Sequence, residues 1–295
     1  MAASTLRHCA FLTLEDRADF YIYDHLLFGP LEQRGWKTVE IPWSRPDVDW
    51  SAFDAVVIRS TWDYQNHLPE FMRTLERIEA VTRLLNPVAI CRWNSHKRYL
   101  ADLADEGVTI VPTRYCTSPD ATALTEAFDE FAAERIVLKP AIGANADGAF
   151  VLERASESAW TDAFTEHHGV DVLVQPYLES IVEEGEYSLF YFGGQYSHAI
   201  CKQPAVGDFR VQEEHGAQIH LIEAPSELRK VGATCLGAIP QTLLYSRIDL
   251  VRLATGELAV MEVELIEPSL YFDQDPDAAE RFAQIFDEMM NENTD

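Results

Sequence analysis

The chain has little positive charge and no long apolar run. Its formal net charge is −26 over 295 residues. Lysine is scarce and occurs only as Lys37, Lys97, Lys139, Lys202 and Lys230. Nucleic acids and anionic membranes are bound through basic surfaces, so we expect neither as a partner. No stretch of about 18 uncharged apolar residues appears, so we also expect no membrane-spanning helix.

Cysteine is also scarce, and its spacing excludes the common cysteine sites. The five cysteines are dispersed, and no two have the C-x-x-C spacing of zinc or redox centres. Such thiols are typical of a reducing compartment. Residues 1–10 lack the apolar core of a secretory signal. We therefore expect a cytoplasmic protein.

Short apolar runs alternate with helical patterns in the first third of the chain. The predicted elements are strands at 10–12, 38–41 and 54–58 and helices at about 23–34 and 69–80. This alternation predicts an open parallel sheet, in which ligands bind beyond the carboxyl ends of the strands. Arg59 to Tyr64 follow the third strand, so they are candidate ligand-binding residues. Trp62 is expected to pack in the core.

The middle of the chain predicts a second, smaller unit. Asn94 or Ser95 can cap a helix that carries Lys97. Ser118 precedes another helix, with Pro119 at its first position. Strands are predicted at 136–140 and 172–174.

The last third predicts an antiparallel sheet followed by a helix. Gly193 and Gly194 form a hairpin signal between strands at 189–192 and 196–200. A second pair of strands is predicted at 245–251 and 258–264. The apolar positions of the final helix repeat with a period near 3.6, at Ala278, Phe282, Ile285, Phe286 and Met289.

The second predicted hairpin is rich in carboxylates. Alternate residues of a strand share a face, so Glu262 and Glu264 point the same way, as do Arg247 and Asp249. Converging carboxylates repel one another, and a bound divalent cation removes that cost. Mg²⁺ prefers hard oxygen ligands, including one or two carboxylates and substrate phosphates. The alternative is an exposed hairpin with ordinary acidic residues.

Three further segments suit a nucleotide, although each has a plainer alternative. Lys139 precedes a loop of small residues at 143–148, which allows phosphate to approach backbone N–H groups, but an ordinary turn has the same composition. The strand end at 175–178 can pair with an adenine edge, or simply pack its tyrosine. Arg210, with Lys202 nearby, suits a phosphoryl group or a carboxylate, but it can equally pair with Glu213 or Glu214.

The order of these segments carries more information than any one of them. They are Lys97, L-K-P with the loop to Gly148, Q-P-Y-L at 175–178, G-D-F-R at 207–210, R-I-D at 247–249 and M-E-V-E at 261–264. This order resembles the ATP-grasp superfamily, in its glutathione-synthetase-like and ribosomal-protein-glutamate-ligase-like branch. Further segments are similar to the O-ureido-D-serine cyclo-ligases of cycloserine biosynthesis and their relatives, namely L-T-L-E-D, Y-D-H-L-L, R-S-T-W-D-Y, R-W-N-S-H-K-R-Y-L, E-G-E-Y-S-L-F-Y-F-G-G, G-D-F-R-V-Q-E-E-H-G and E-L-I-E-P-S-L-Y.

The resemblance implies an α/β fold, α+β in its C-terminal part, with three domains. These are an N-terminal open parallel sheet (1–92), a small lid domain (93–181) and a central antiparallel-sheet domain with the metal site (182–295). The implied activity is ATP-dependent carboxylate–amine ligation. An acyl phosphate forms on a small amino-acid-like substrate and a nitrogen nucleophile attacks it, within the same molecule in a cyclo-ligase. ATP and Mg²⁺ are implied, with Mn²⁺ as the alternative metal, and a homodimer is common in the family.

The resemblance also implies residue roles. The nucleotide-binding residues would be Lys97, Lys139, Gly143, Asn145, Gly148, Gln175, Tyr177 and Leu178, with Glu183 or Glu186 at the ribose. Arg210 and Lys202 would be catalytic. The metal ligands would be Asp249, Glu262 and Glu264. The candidate substrate-binding residues are Arg59, Ser60, Thr61, Asp63, Tyr64, Glu267 and Ser269. For Arg59, a structural ion pair is the alternative.

Two departures from the superfamily pattern bear on these roles. Glu264 stands where many members have asparagine, which leaves the number of metal ions open. The 143–148 loop is poor in glycine, so its closure is expected to be slower or looser. Two other functions stay open at this point, a small-molecule kinase on the same scaffold and an ATP-binding regulatory module without turnover.

Overall fold

The computed structural model describes residues 6–18 and 20–292. Residues 1–5, part of the segment expected to lack a secretory signal, lie outside this range. None of the described helices combines the length and the apolar character that crossing a bilayer requires.

The first sheet is parallel throughout, as predicted. Its strand order is β2-β1-β3-β4, and the strands are β1 (Arg7–Thr13), β2 (Trp36–Pro42), β3 (Ala55–Ser60) and β4 (Arg83–Leu85). All six residues of β3 are buried, because helices or strands cover both faces of this sheet. Helices α1 (Phe28–Glu32) and α2 (Leu68–Glu79) connect these strands. The helix expected at 23–34 is wrong in its extent, since a 3₁₀ turn occupies Asp24–Leu27 and only α1 is α-helical.

The second sheet is antiparallel and has the order β5-β8-β6-β7. Its strands are β5 (Arg114–Thr117), β6 (Arg135–Pro140), β7 (Phe150–Glu153) and β8 (Asp171–Pro176). The helices that precede or cover it are α3 (Val88–Asn94), α4 (Tyr99–Asp105), α5 (Ala121–Glu130) and α6 (Trp160–Glu166).

Two helix starts differ from the predictions in this region. Lys97 lies in the turn between α3 and α4, not on a helix. Asn94 cannot act as an N-cap because its side chain bonds to β13, donating to the carbonyl of Val263 and accepting from the amide of Leu265. Helix α5 begins after Pro119, because Asp120 supplies the side-chain cap.

The third sheet is antiparallel and has five strands in the order β11-β10-β9-β12-β13. They are β9 (Glu186–Phe192), β10 (Gln195–Gln203), β11 (Gln218–Ile222), β12 (Tyr245–Arg252) and β13 (Leu258–Glu264). The remaining helices are α7 (Glu179–Glu183), α8 (Ser226–Ala238) and α9 (Ala278–Asn291). The predicted hairpin at Gly193 and Gly194 is confirmed. Both residues have positive φ, 55° and 76°, as a two-residue type I′ turn requires.

One apolar core joins the first and third sheets. Phe11 of β1, Phe190 and Phe192 of β9 and Phe282 of α9 belong to it. The predicted apolar face of α9 is confirmed, because its central residues are buried and Phe286 packs edge-on to Trp36 at 4.7 Å. The C-terminal helix therefore packs against both the first sheet and the third.

Candidate active site

A cleft opens where the three sheets meet, with about 1670 Å³ of space including its mouth. Most of the residues singled out in the sequence line it, namely Tyr64, Lys97, Lys139, Gly143, Asn145, Gln175, Tyr177, Leu178, Glu186, Lys202, Arg210, Glu262, Glu264, Glu267 and Ser269. The residues that do not line it are Arg59, Ser60, Thr61, Asp63, Gly148, Glu183 and Asp249. The fold thus gathers residues that are far apart in sequence into one concave surface.

Lys97 and Lys139 enter the cleft from different elements. The backbone N–H of Lys97 donates to the carbonyl of Ala141 at 2.8 Å, and its ammonium pairs with Glu262. Burial alone would lower the pKa of Lys97, but the charge of Glu262 outweighs it and the pKa is raised.

Lys139 differs because no ion pair among the described residues includes it. Its Nζ lies 3.9 Å from Sδ of Met261, a weak acceptor. Burial lowers the pKa of Lys139, although Glu262 acts in the opposite direction. Among the described residues, Lys139 is therefore a desolvated cation that makes no ion pair, although the charge of Glu262 acts on it.

The acidic ribbon is formed by β12 and β13, in which Asp249 lies opposite Glu262 and Arg247 opposite Glu264. Arg247 binds both oxygens of Asp249, at 3.1 Å through Nε and 3.0 Å through Nη2, and also pairs with Glu264. Burial alone would raise the pKa of Asp249, but Arg247 and Lys202 bring it down to about 2. Asp249 is therefore an ionised anchor beneath the floor of the cleft.

Glu264 and Glu267 add two buried carboxyl groups to the cleft, and both have a raised pKa. Burial, aided by Asp249 and Glu262, raises the pKa of Glu264 to about 7. Burial, aided by Glu264, also raises the pKa of Glu267 well above its ordinary value. The side chain of Glu267 has no hydrogen bond or ion pair with any described residue.

These carboxylates fit a divalent cation, although they are not preassembled around one. No group of three or more His, Cys, Asp and Glu side chains within the described ranges is arranged to hold a metal ion. Glu262 and Glu264 nevertheless both face the cleft, and their hard oxygens are the ligands that Mg²⁺ takes together with phosphates. Asp249 fits less well, because Arg247 and the Ser188 hydroxyl already occupy its oxygens.

Lys202 and Glu186 form a buried pair beside the ribbon. The Nζ of Lys202 lies 2.5 Å from Glu186 and 3.6 Å from Asp249. Glu186 faces the cleft, whereas Glu183, the other predicted ribose contact, is exposed on α7.

Two loops border the cleft. In the first, Asn145 and Ala146 adopt left-handed φ values of 54° and 58°, and the segment 143–147 faces the cavity. Gly148 instead turns away, because its carbonyl accepts from the His167 ring at 2.8 Å and a Cβ there would lie 3.1 Å from Glu166. In the second loop, Arg210 faces the cleft.

Arg210 is held by a near neighbour in its own loop. Asp208 accepts from its Nε at 3.1 Å and its Nη2 at 2.8 Å, and also from the backbone N–H groups of Phe209 and Arg210. The partners expected as the plain alternative, Glu213 and Glu214, are not the ones it uses.

The far wall of the cleft forms an apolar slot. Tyr177 and Leu178 line it, with Val137, Ile181 and Met261 beside them. The Gln175 amide donates to Thr113 at 2.9 Å, and the Arg135 guanidinium lies 3.9 Å from the centre of the Tyr177 ring. Val137, Ile181 and Met261 were not singled out, since apolar strand residues look alike in sequence.

Residues 59–63, at the end of β3 and directly after it, lie mostly behind the cleft. Arg59 is 2% exposed, pairs with Asp24 at 2.8 Å and donates to the carbonyl of Pro268 at 3.2 Å. The Ser60 hydroxyl donates to Thr13 at 3.0 Å, Thr61 is buried, and Asp63 accepts from Trp43 at 2.6 Å. These contacts are structural.

Trp62 and Tyr271 line the cleft beside Glu267 and Ser269, although neither was predicted as a site residue. Trp62, expected in the core, is only half-buried and lines the cleft, because its indole N–H donates to the Glu267 carbonyl at 2.7 Å. Tyr271 lines the same end. Only its position next to Glu267 and Ser269 could have indicated it.

The chain is similar in sequence and fold to proteins of one family. A family model described as D-cycloserine synthetase DcsG, N-terminal domain, matches residues 9–86. The cycloserine biosynthesis protein DcsG of Streptomyces lavendulae is 37% identical over 263 residues, which are 84% of this chain and 87% of that protein. The crystal structure of D-cycloserine synthetase DcsG superposes with a TM-score of 0.86 at 32% identity, covering 96% of this chain and 100% of the other.

A more distant likeness concerns the fold alone. The ATP-grasp ligase PsnB, in a complex with a minimal precursor, Mg and ADP, superposes with a TM-score of 0.68 at 17% identity, covering 99% of each chain.

Proposed function

Since the chain belongs to the D-cycloserine synthetase family of ATP-grasp ligases, we propose that it activates the carboxylate of a small amino-acid-like substrate as an acyl phosphate. A nitrogen atom then displaces the phosphate. The names of its relatives favour a nitrogen of the same molecule, so that the reaction closes a ring. One observation supports the proposal above all: in the cleft, Lys139, which makes no ion pair with a described residue, faces the glutamates of strand β13.

The nucleotide would lie along the second sheet. Its adenine would enter the slot of Tyr177, Leu178 and Met261, and its ribose would approach Glu186. Lys97 and Lys139 would contact the phosphates, with the 143–147 loop above them. Lys97 would exchange Glu262 for a phosphate oxygen, which frees that carboxylate for the metal.

Glu262 and Glu264 would hold Mg²⁺, with Asp249 fixing Arg247 beneath them. Bound there, Mg²⁺ would supply charge that offsets the repulsion between triphosphate and substrate carboxylate. The raised pKa of Glu264 supports this role, because a cation compensates for a buried acid.

Two covalent steps follow from this arrangement. A carboxylate oxygen of the substrate attacks the γ-phosphorus, the bond to the bridging oxygen breaks, and ADP leaves. The nitrogen nucleophile then attacks the acyl carbon, the C–O bond breaks, and inorganic phosphate leaves with the former carboxylate oxygen and takes up the proton that the nitrogen loses. Arg210, preoriented by Asp208, and Lys202 would stabilise the charge that develops on the phosphoryl oxygens.

Water must be kept from the acyl phosphate until the nitrogen attacks. The proposed division into domains 1–92, 93–181 and 182–295 serves this end, because the 93–181 unit carries Lys139 and the 143–147 loop and can close over the nucleotide. Tyr64, Glu267 and Ser269 would border the acid substrate at the opposite end.

The proposal is tested by incubating the protein with ATP, MgCl₂ and either O-ureido-D-serine or a panel of D-amino acids. We expect ADP, free phosphate and a product that has lost the elements of water or carries a new C–N bond, detected by mass spectrometry. Accumulation of a phosphorylated acid without phosphate release would favour the kinase instead. Chelation of the metal by EDTA should stop the reaction, and turnover that persists in EDTA would refute the metal role.

A further inference from the structure

A short segment after β13, residues 266–270, is held in an unusual way. Four of its consecutive carbonyls accept a hydrogen bond from a side chain of another element: Glu267 from Trp62 (2.7 Å), Pro268 from Arg59 (3.2 Å), Ser269 from Arg247 (3.2 Å) and Leu270 from His198 (3.2 Å). The Tyr245 hydroxyl, which has a single proton, lies 2.8 Å from the Ile266 carbonyl and 2.6 Å from that of Ile58. The donors come from both the first and the third sheet. The path of this segment is therefore fixed from both sides.

Tyr271 follows directly and has a strained backbone. Its φ is +47°, a left-handed conformation that is strained for a non-glycine residue. Such residues cluster at active sites, where the surrounding structure holds them in place. The bonds to Ser269 and Leu270 immediately before it supply that restraint.

This conformation places the Tyr271 ring at the end of the cleft that we propose binds the substrate. The ring is 6% exposed, lies 6.2 Å from Phe190 and 6.5 Å from Tyr23 between centroids, and lines the cavity. Its hydroxyl has no hydrogen-bond partner among the described residues. Burial raises the pKa of Tyr271 to about 12, although Lys202 and Arg247 act against it, so the hydroxyl keeps its proton at neutral pH.

We propose that the Tyr271 hydroxyl contacts the substrate and donates a hydrogen bond to its carboxyl group during activation and nitrogen attack. The inference rests on the proposed function. Lys202 and Arg247, the cations that act on this hydroxyl, are already paired with Glu186 and Asp249 respectively. A neutral donor can follow an oxygen whose charge changes as it is phosphorylated and released, without adding a further fixed charge to the site.

The test compares Tyr271→Phe with Tyr23→Phe. Phenylalanine preserves the ring contacts of Tyr271 and removes only the hydroxyl. Tyr23 is a matched control, because its ring is a neighbour but its hydroxyl donates to Glu213 at 3.2 Å. Hydroxylamine serves as a general nitrogen nucleophile, so hydroxamate formation with ATP and Mg²⁺ identifies acids from a panel that the wild type activates. O-Ureido-D-serine is included.

For the best acid, we expect Tyr271→Phe to lower kcat/KM by about 10- to 100-fold, or about 1.4–2.7 kcal/mol at 1.36 kcal/mol per tenfold. The dissociation constant of MgADP, measured by calorimetry, should stay within about twofold. Tyr23→Phe should keep wild-type kcat/KM. An active wild type with an equally active Tyr271→Phe, or equal losses in both variants, overturns this inference alone. A wild type that activates no acid overturns the proposed function and this inference with it.

Discussion

Replacing Lys139 by methionine should weaken nucleotide binding without lowering the stability of the folded protein. Lys139 has no ion pair among the described residues, and burial lowers its pKa. The folded state therefore holds the Lys139 proton less tightly than the unfolded state does. At neutral pH, where both states are protonated, the buried ammonium opposes folding, and its removal should not lower the melting temperature.

The affinity for nucleotide should fall in the same variant. A hydrogen bond to a charged group contributes about 1.5–3 kcal/mol, which corresponds to roughly a 10- to 150-fold rise in the dissociation constant of MgADP. Because Lys139 makes no ion pair with a described residue, its ammonium can bind a phosphate without breaking one.

Calorimetric titration with MgADP and thermal unfolding without nucleotide measure the two effects separately. Lys37→Met is the matched control, since Lys37 is exposed on β2 and the same charge is lost. A Lys139→Met variant that binds MgADP within twofold of wild type, or that unfolds several degrees lower without ligand, would refute the reasoning.

Three further predictions follow from other contacts. Glu262→Gln should lower turnover by orders of magnitude at an unchanged fold, checked by circular dichroism; near-normal turnover would contradict the assignment. Gly232→Ala should cost about 1–3 kcal/mol of unfolding free energy, because its Cβ would lie 2.3 Å from the unpartnered Tyr191 hydroxyl, and Tyr191→Phe should restore part of it in denaturant titrations. The raised pKa of Glu264, about 7, gives stability that is present below its unfolded pKa and lost as pH rises through 7. Unfolding free energy should thus fall more between pH 5 and 8 in wild type than in Glu264→Gln, and equal slopes would contradict this.

The sequence predicted the elements whose patterns are local. The buried run of β3, the Gly193–Gly194 turn and the periodic face of α9 needed only neighbouring residues. The order of the lysine, arginine and glutamate motifs then indicated the family. These signals are sufficient to predict the fold class, because each depends only on a short stretch of the chain.

The sequence did not predict the contacts between segments that are distant along the chain. Asn94 looks like a helix cap but bonds to β13. For Arg59 the sequence left a substrate contact and a structural ion pair open, and only the contact with the distant Asp24 shows the ion pair. Trp62 looks like a core residue but reaches the Glu267 carbonyl at the cleft. Tyr271 has no sequence signal for its left-handed backbone, which is imposed by donors from other sheets.

The path of the carboxylate oxygen tests the central claim most directly. Substrate with an ¹⁸O-labelled carboxylate is incubated with the protein, ATP and Mg²⁺, and the released inorganic phosphate is analysed by mass spectrometry. An acyl phosphate in the cleft predicts one ¹⁸O atom in each phosphate released. Product formation with unlabelled phosphate would contradict it.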